Sequence, residues 1–164
     1  MHINMATTTV DLTFLDEQVL RLFRALRRPG FRSRVLEGVP EIPGVGDLRV
    51  LRSVERHEAR GESPSIGVVA SELEVEQSTA SRAVNAVIAR GLLTKTSCPD
   101  DQRRTRLRLT AKGVTALNKA TENRAALLAE ITDAWSDDER RTLSALLSRL
   151  ADGYDQIEAT YGAR

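Results

Sequence analysis

Apolar residues recur at alternating steps of three and four between Asp11 and Arg28, where Leu12, Leu15, Val19, Leu22 and Leu26 line one stripe of a predicted helix. "RPG" at Arg28 to Gly30 stops it, because proline cannot continue the hydrogen-bond ladder. The stripe is narrow and regular, which suits pairing with another helix of the same or a second chain. "GVPEIPGVGD", Gly38 to Asp47, reads as a loop, and a second helix follows from about Asp47 to Ala59 with Leu48, Leu51 and Val54 inward. Pro64 and Ser65 signal the start of a short helix that runs through Leu73 and buries Ile66, Val69, Ala70 and Leu73.

After the turn "EVEQ", a third short helix is expected from Gln77 to Arg90. Ala80, Val84, Val87 and Ile88 form its core side, whereas Ser78, Ser81, Arg82 and Asn85 share the outward side. Gly91 stands where a left-handed cap is wanted. The pattern then switches to period two. "LLTKTS" and "RTRLRLT" read as strands around the turn "CPDDQRR", with Arg104, Arg106 and Arg108 on one face and Thr105, Leu107 and Leu109 on the other. A hairpin with one apolar and one basic face is predicted.

Thr110 is the expected N-cap of a long helix carrying Val114, Leu117, Leu128, Ile131 and Trp135. "SDDE" at Ser136 to Glu139 is a capping box, after which Leu143, Leu146, Leu147, Leu150, Tyr154 and Ile157 fall on one face of a last helix. The architecture is therefore mainly α with a small β-hairpin wing: an N-terminal helix and loop over 1–46, a winged helix-turn-helix over 47–110, and C-terminal dimerisation helices over 111–164.

Charge changes the picture once it is divided along the chain. The net charge is +1, but residues 78–112 hold eight basic residues against two acidic ones, a local +6, and the remainder is net negative by five. One basic face on an acidic body is the footprint of a protein that docks on a polyanion. A helix fits the major groove of B-form DNA, where Ser, Asn, Gln and Arg side chains reach base edges, while a basic hairpin beside it lies along the backbone or minor groove. Gln77, Ser78, Thr79, Ser81, Arg82 and Asn85 are the candidate recognition-helix contacts, and Lys95, Arg103, Arg104, Arg106 and Arg108 the candidate wing contacts.

The stretch from Ser65 to Gly113 also resembles the winged helix-turn-helix of the MarR family of bacterial transcriptional regulators. The resemblance rests on "STASR", "ARGLL", and "PDDQRR" followed by "LRLTAKG". It implies that Asp101 and Arg103 are the outer members of the family's acid-x-arginine signature, with Asp101 stabilising the wing and a wing arginine entering the minor groove. It further implies a homodimer, held by both terminal helical regions, on a pseudo-palindromic operator. Glu74 stands where the family commonly has glycine, which predicts a looser or differently angled turn. Cys98 replaces an acid or amide before the proline.

Other chemistries are poorly supplied. The chain has no glycine-rich phosphate loop, no nucleophile elbow and no zinc-ligand spacing among His2, His57 and Cys98, so neither an enzyme nor a metal or cofactor is expected. His57 reads as a solvated or capping histidine, and Trp135 as core or interface filler. Cys98 reads as inert, against the alternative of a thiol sensor whose pKa Lys95 and Arg103 lower. No apolar run is long enough to span a bilayer and no secretory signal opens the chain, so cytoplasmic residence is expected. The expected function is a homodimeric double-stranded DNA-binding regulator, a repressor released by a small molecule or oxidant. The alternative is a winged-helix interaction module for an acidic protein partner.

Overall fold

The structure, a computed structural model, describes residues 5–98 and 101–161; the side chains of 5–11, 97–98, 101–105 and 158 lie outside that description. Its elements are α1 (Met5–Leu26), α2 (Pro29–Val35), α3 (Val45–Glu58), α4 (Ile66–Glu72), α5 (Gln77–Ala89), the strands β1 (Leu93–Cys98) and β2 (Asp101–Leu109), α6 (Ala111–Ile131) and α7 (Asp137–Tyr161). This is the mainly α architecture with one antiparallel hairpin that the sequence predicts. The chain forms two compact units, Met1–Arg124 and Ala125–Arg164.

The core of the first unit is built by the inward sides of α3, α4 and α5, the base of the hairpin and the first half of α6. Leu51, Val54, Val69, Val84, Val87, Leu92, Leu107 and Leu117 are all essentially inaccessible to solvent. Three of the core helices end in the same way. An N–H three or four residues past each helix's last residue reaches back five positions, Glu62 to His57, Val75 to Ala70 and Leu92 to Val87, through a residue with positive φ at Gly61, Glu74 and Gly91. Glycine suits that left-handed conformation at Gly91, as the sequence predicts, but at the helix-turn-helix turn a glutamate adopts it, with φ of 54°. The departure from glycine at Glu74 therefore leaves the left-handed turn in place.

Several expectations are corrected. "RPG" ends α1, yet Pro29 also opens α2 as a residue of its first turn, where a missing N–H is no loss. The segment read as a loop from Gly38 to Asp47 already enters α3 at Val45, and its Val39 and Ile42 are buried. The turn of the hairpin is shorter than "CPDDQRR", since strand structure reaches Cys98 and resumes at Asp101. The long helix ends at Ile131, so Trp135 lies beyond it in the turn before α7.

That turn sits in the second unit and is held by the predicted capping box. Ser136 N–H donates to Glu139 Oε2 at 2.7 Å, and Glu139 N–H returns to Ser136 Oγ at 3.3 Å. The Ser136 N–H and the Ser136 hydroxyl, which donates to the same oxygen at 2.8 Å, hold the Glu139 carboxyl below its usual range. Arg140 adds a donor to the Thr132 carbonyl at 2.8 Å. No helix among the described residues is long and apolar enough to cross a membrane.

Candidate nucleic-acid interface

The site begins with α4, the turn and α5. Ser65 caps α4 by accepting the Val68 N–H at 3.3 Å, as its sequence position predicts. Arg49 of α3 donates to the Leu73 carbonyl at 3.1 Å, which satisfies an orphan acceptor at the end of α4 and ties the turn to the core. Sequence reasoning missed Arg49, because a charged residue on the outer stripe of a helix carries no sign of which carbonyl it will meet.

The apolar side of α5 is buried at Ala80, Val84 and Val87, and Ile88 is half-buried. Gln77, Ser78, Thr79, Arg82 and Asn85 are exposed together, while Ser81 is half-buried at the edge of that face. The Arg82 guanidinium folds back to donate from Nε to the Ser78 carbonyl at 3.3 Å, which leaves its two terminal nitrogens outward.

The wing pairs Leu93 with Leu109, Thr94 with Arg108, Lys95 with Leu107, Thr96 with Arg106 and Ser97 with Thr105, before the register shifts to Cys98 with Asp101. Arg106 and Arg108 are exposed and, being two apart, share one face, opposite the buried Leu107. Lys95 is exposed too, but directly opposed residues point to the same side, so it lies on the Leu107 face and not with the arginines. Asp101, Arg103 and Arg104, with Cys98, have side chains outside the described ones, and the roles expected of them remain expectations.

The base of the wing is stapled to α5 and α6. Thr110 Oγ1 donates to the Gly91 carbonyl at 2.7 Å and accepts the Gly113 N–H at 2.9 Å, and Lys112 Nζ donates to the Arg90 carbonyl at 3.1 Å. The quoted pieces "ARGLL" and "LRLTAKG" are thus in contact, each supplying half of one junction.

A further polar cluster joins α3 to α4. The buried Ser53 hydroxyl donates to Glu72, Arg56 Nε donates to the same carboxylate at 2.8 Å, and His57 lies 2.7 Å from Glu62 and 3.6 Å from Glu72. His57 is therefore a member of a polar cluster, its ring in contact with Glu62, rather than a merely solvated residue. Burial pushes the Glu72 carboxyl up, but the bonds from Ser53 and Arg56 and the charges of Arg56 and His57 outweigh it and hold it below its usual range.

The geometry of a polar-faced helix beside a basic strand has a family counterpart. A family model described as MarR family matches residues 42–104. This segment is similar to the MarR family over α3 and most of the wing. Solved structures extend the likeness of fold over most of the chain. A MarR family protein from Bacillus stearothermophilus is 19% identical with a TM-score of 0.69, covering 94% of this chain and 99% of its own. A MarR transcriptional regulator from Methanosarcina mazei is 18% identical with a TM-score of 0.68, covering 88% and 99%. A MepR mutant of S. aureus, bound to an oligodeoxyribonucleotide, is 15% identical with a TM-score of 0.58, covering 87% and 97%. At these identities the likeness to the MarR structures is one of fold. No curated protein sequence matches the chain.

Proposed function

We propose that the protein is a homodimeric, sequence-specific double-stranded DNA-binding transcriptional regulator, acting as a repressor that a small-molecule or oxidant signal releases. The observation that carries this reading is the exposed polar face of α5, Gln77 to Asn85, beside a strand whose Arg106 and Arg108 stand clear of the core. The first supplies donors and acceptors for base edges, and the second supplies cations for phosphates, which position without reading sequence. The oligodeoxyribonucleotide on the fold-related MepR supports the same use of this fold. A cavity of about 860 Å³ bordered by α2 and the loop that leads to α3, with Arg32, Leu36, Val39 and Ile42 in its wall, offers room for an effector.

Selection from a random duplex library tests the reading. Enrichment of a palindrome is the expected result, and the absence of any enriched duplex would favour an acidic protein partner instead. On the selected duplex, Arg82→Ala should erode the preference over random DNA. Arg106→Ala with Arg108→Ala should weaken both duplexes alike and lower the salt slope by about two.

A further inference from the structure

The hairpin is two-stranded, so β2 turns one edge away from β1. On that edge the N–H groups of Leu107 and Leu109 point outward, two residues apart, and an exposed edge of this kind is an open site for stray pairing. Neither is open. Leu107 N–H donates to the Pro64 carbonyl at 2.9 Å, and Leu109 N–H donates to Glu58 Oε1 at 3.1 Å. The first bond is what a third strand would supply; the second comes from a side chain 51 positions away in sequence.

Glu58 is the last residue of α3, where the helix dipole disfavours a carboxylate. Its half-buried side chain offsets that disadvantage by accepting a backbone N–H at the root of the wing, a charge-assisted bond. β2 runs nine residues out from this root, from Leu109 to Asp101. At about 3.3 Å per residue that is a lever of roughly 26 Å, and a tilt of about 5° at the root moves the far end by about 2 Å. Charge-assisted and base-edge hydrogen bonds do not survive an error of that size.

We propose that Glu58 is a positioning residue for DNA binding: it locks the root of β2 to α3 and thereby fixes the aim of the wing relative to the recognition helix. The proposal rests on the DNA-binding reading, but half of its test does not. In the full-length protein, Glu58→Leu removes the acceptor while keeping a side chain of similar bulk, and Glu58→Gln keeps an acceptor without the charge. Glu58→Leu is expected to speed amide exchange at Leu109 with little change at Leu107. It should also weaken binding to the selected duplex about tenfold and lower the salt slope by about one, because wing-to-phosphate contacts are lost. Glu58→Gln should restore most of the protection and most of the affinity.

Unchanged exchange at Leu109 in Glu58→Leu would overturn the lock. Faster exchange with unaltered affinity and salt slope would overturn the positioning role, and a Glu58→Gln variant as impaired as Glu58→Leu would overturn the acceptor role. A wild-type protein that binds no duplex would defeat the regulator reading instead, and the Leu109 exchange would then decide the lock alone.

Discussion

Gly113 is fixed by a neighbour rather than by its own backbone. A Cβ there would lie 2.1 Å from the Leu92 carbonyl oxygen and 3.0 Å from its carbon, and both belong to backbone that cannot swing aside. Gly113→Ala must therefore push α6 off the start of β1, and a loss of about 2–3 kcal/mol in urea unfolding is expected. An unchanged urea midpoint would mean that the junction is not this close. Glu74 is the opposite case, since its side chain has room but its φ of 54° is strained for anything but glycine, at a cost of about 1 kcal/mol. Glu74→Gly should leave thermal stability level or slightly higher, because relief of strain offsets the greater freedom of the unfolded chain. Glu74→Val should lower it by more than 1 kcal/mol, as a β-branched residue tolerates that region least. Equal stability of the two variants would contradict the left-handed turn. Both residues stand in stretches whose family likeness is legible in the sequence, but their reasons are not. A carbonyl meeting Gly113 from 21 positions away is a tertiary fact, and no local pattern encodes it.

At the scale of elements, periodicity and capping chemistry carried most of the information. Ser65, Thr110 and Ser136 each accept the N–H bonds that their positions predict, because caps are local and the donors lie three residues away. α2 is not legible in the sequence, because one proline serves both as the stop of α1 and the start of the next helix. Which face Lys95 shares is not legible in the sequence, because register is fixed by pairing with β2. The brace between α3 and α4 was equally hidden, since Ser53, Arg56, His57 and Glu72 are polar residues whose convergence only the fold produces. That brace gives a pH prediction. The Glu72 carboxyl is held below its usual value of 4.5, so its ionised form contributes stability that is fully present above that value and is lost as pH falls through the lower folded value. Urea midpoints of the wild type should decline between about pH 5 and pH 3, whereas Glu72→Gln should start lower at pH 6 and decline less. Parallel acid limbs for the two proteins would remove Glu72 from this role.

At the scale of the whole molecule, the most informative surface is apolar. In α1, Leu12, Leu15, Leu22 and Leu26 are each more than 40% exposed, and α7 leaves Leu146, Leu147, Tyr154 and Ile157 in the same condition. Soluble monomers rarely leave such contiguous stripes uncovered, and the regular spacing that predicted a helix partner in the sequence is the spacing of these exposed residues. The proposed homodimer covers them, and it predicts an apparent mass near twice that of the chain, with a melting temperature that rises with protein concentration. Leu147→Glu should convert the species to a monomer, and Leu150→Val, a milder change on the same helix, should not. A two-fold pair of recognition helices also imposes a geometry on the DNA, because half-sites must face the same side, about 10 bp apart. Inserting five base pairs between the half-sites of the selected duplex turns them to opposite sides and should reduce affinity toward the level of random DNA, while inserting ten should restore part of it. If both insertions bind as well as the parent duplex, each chain reads DNA independently, and the apolar stripes of α1 and α7 must be covered for some other purpose than pairing recognition helices.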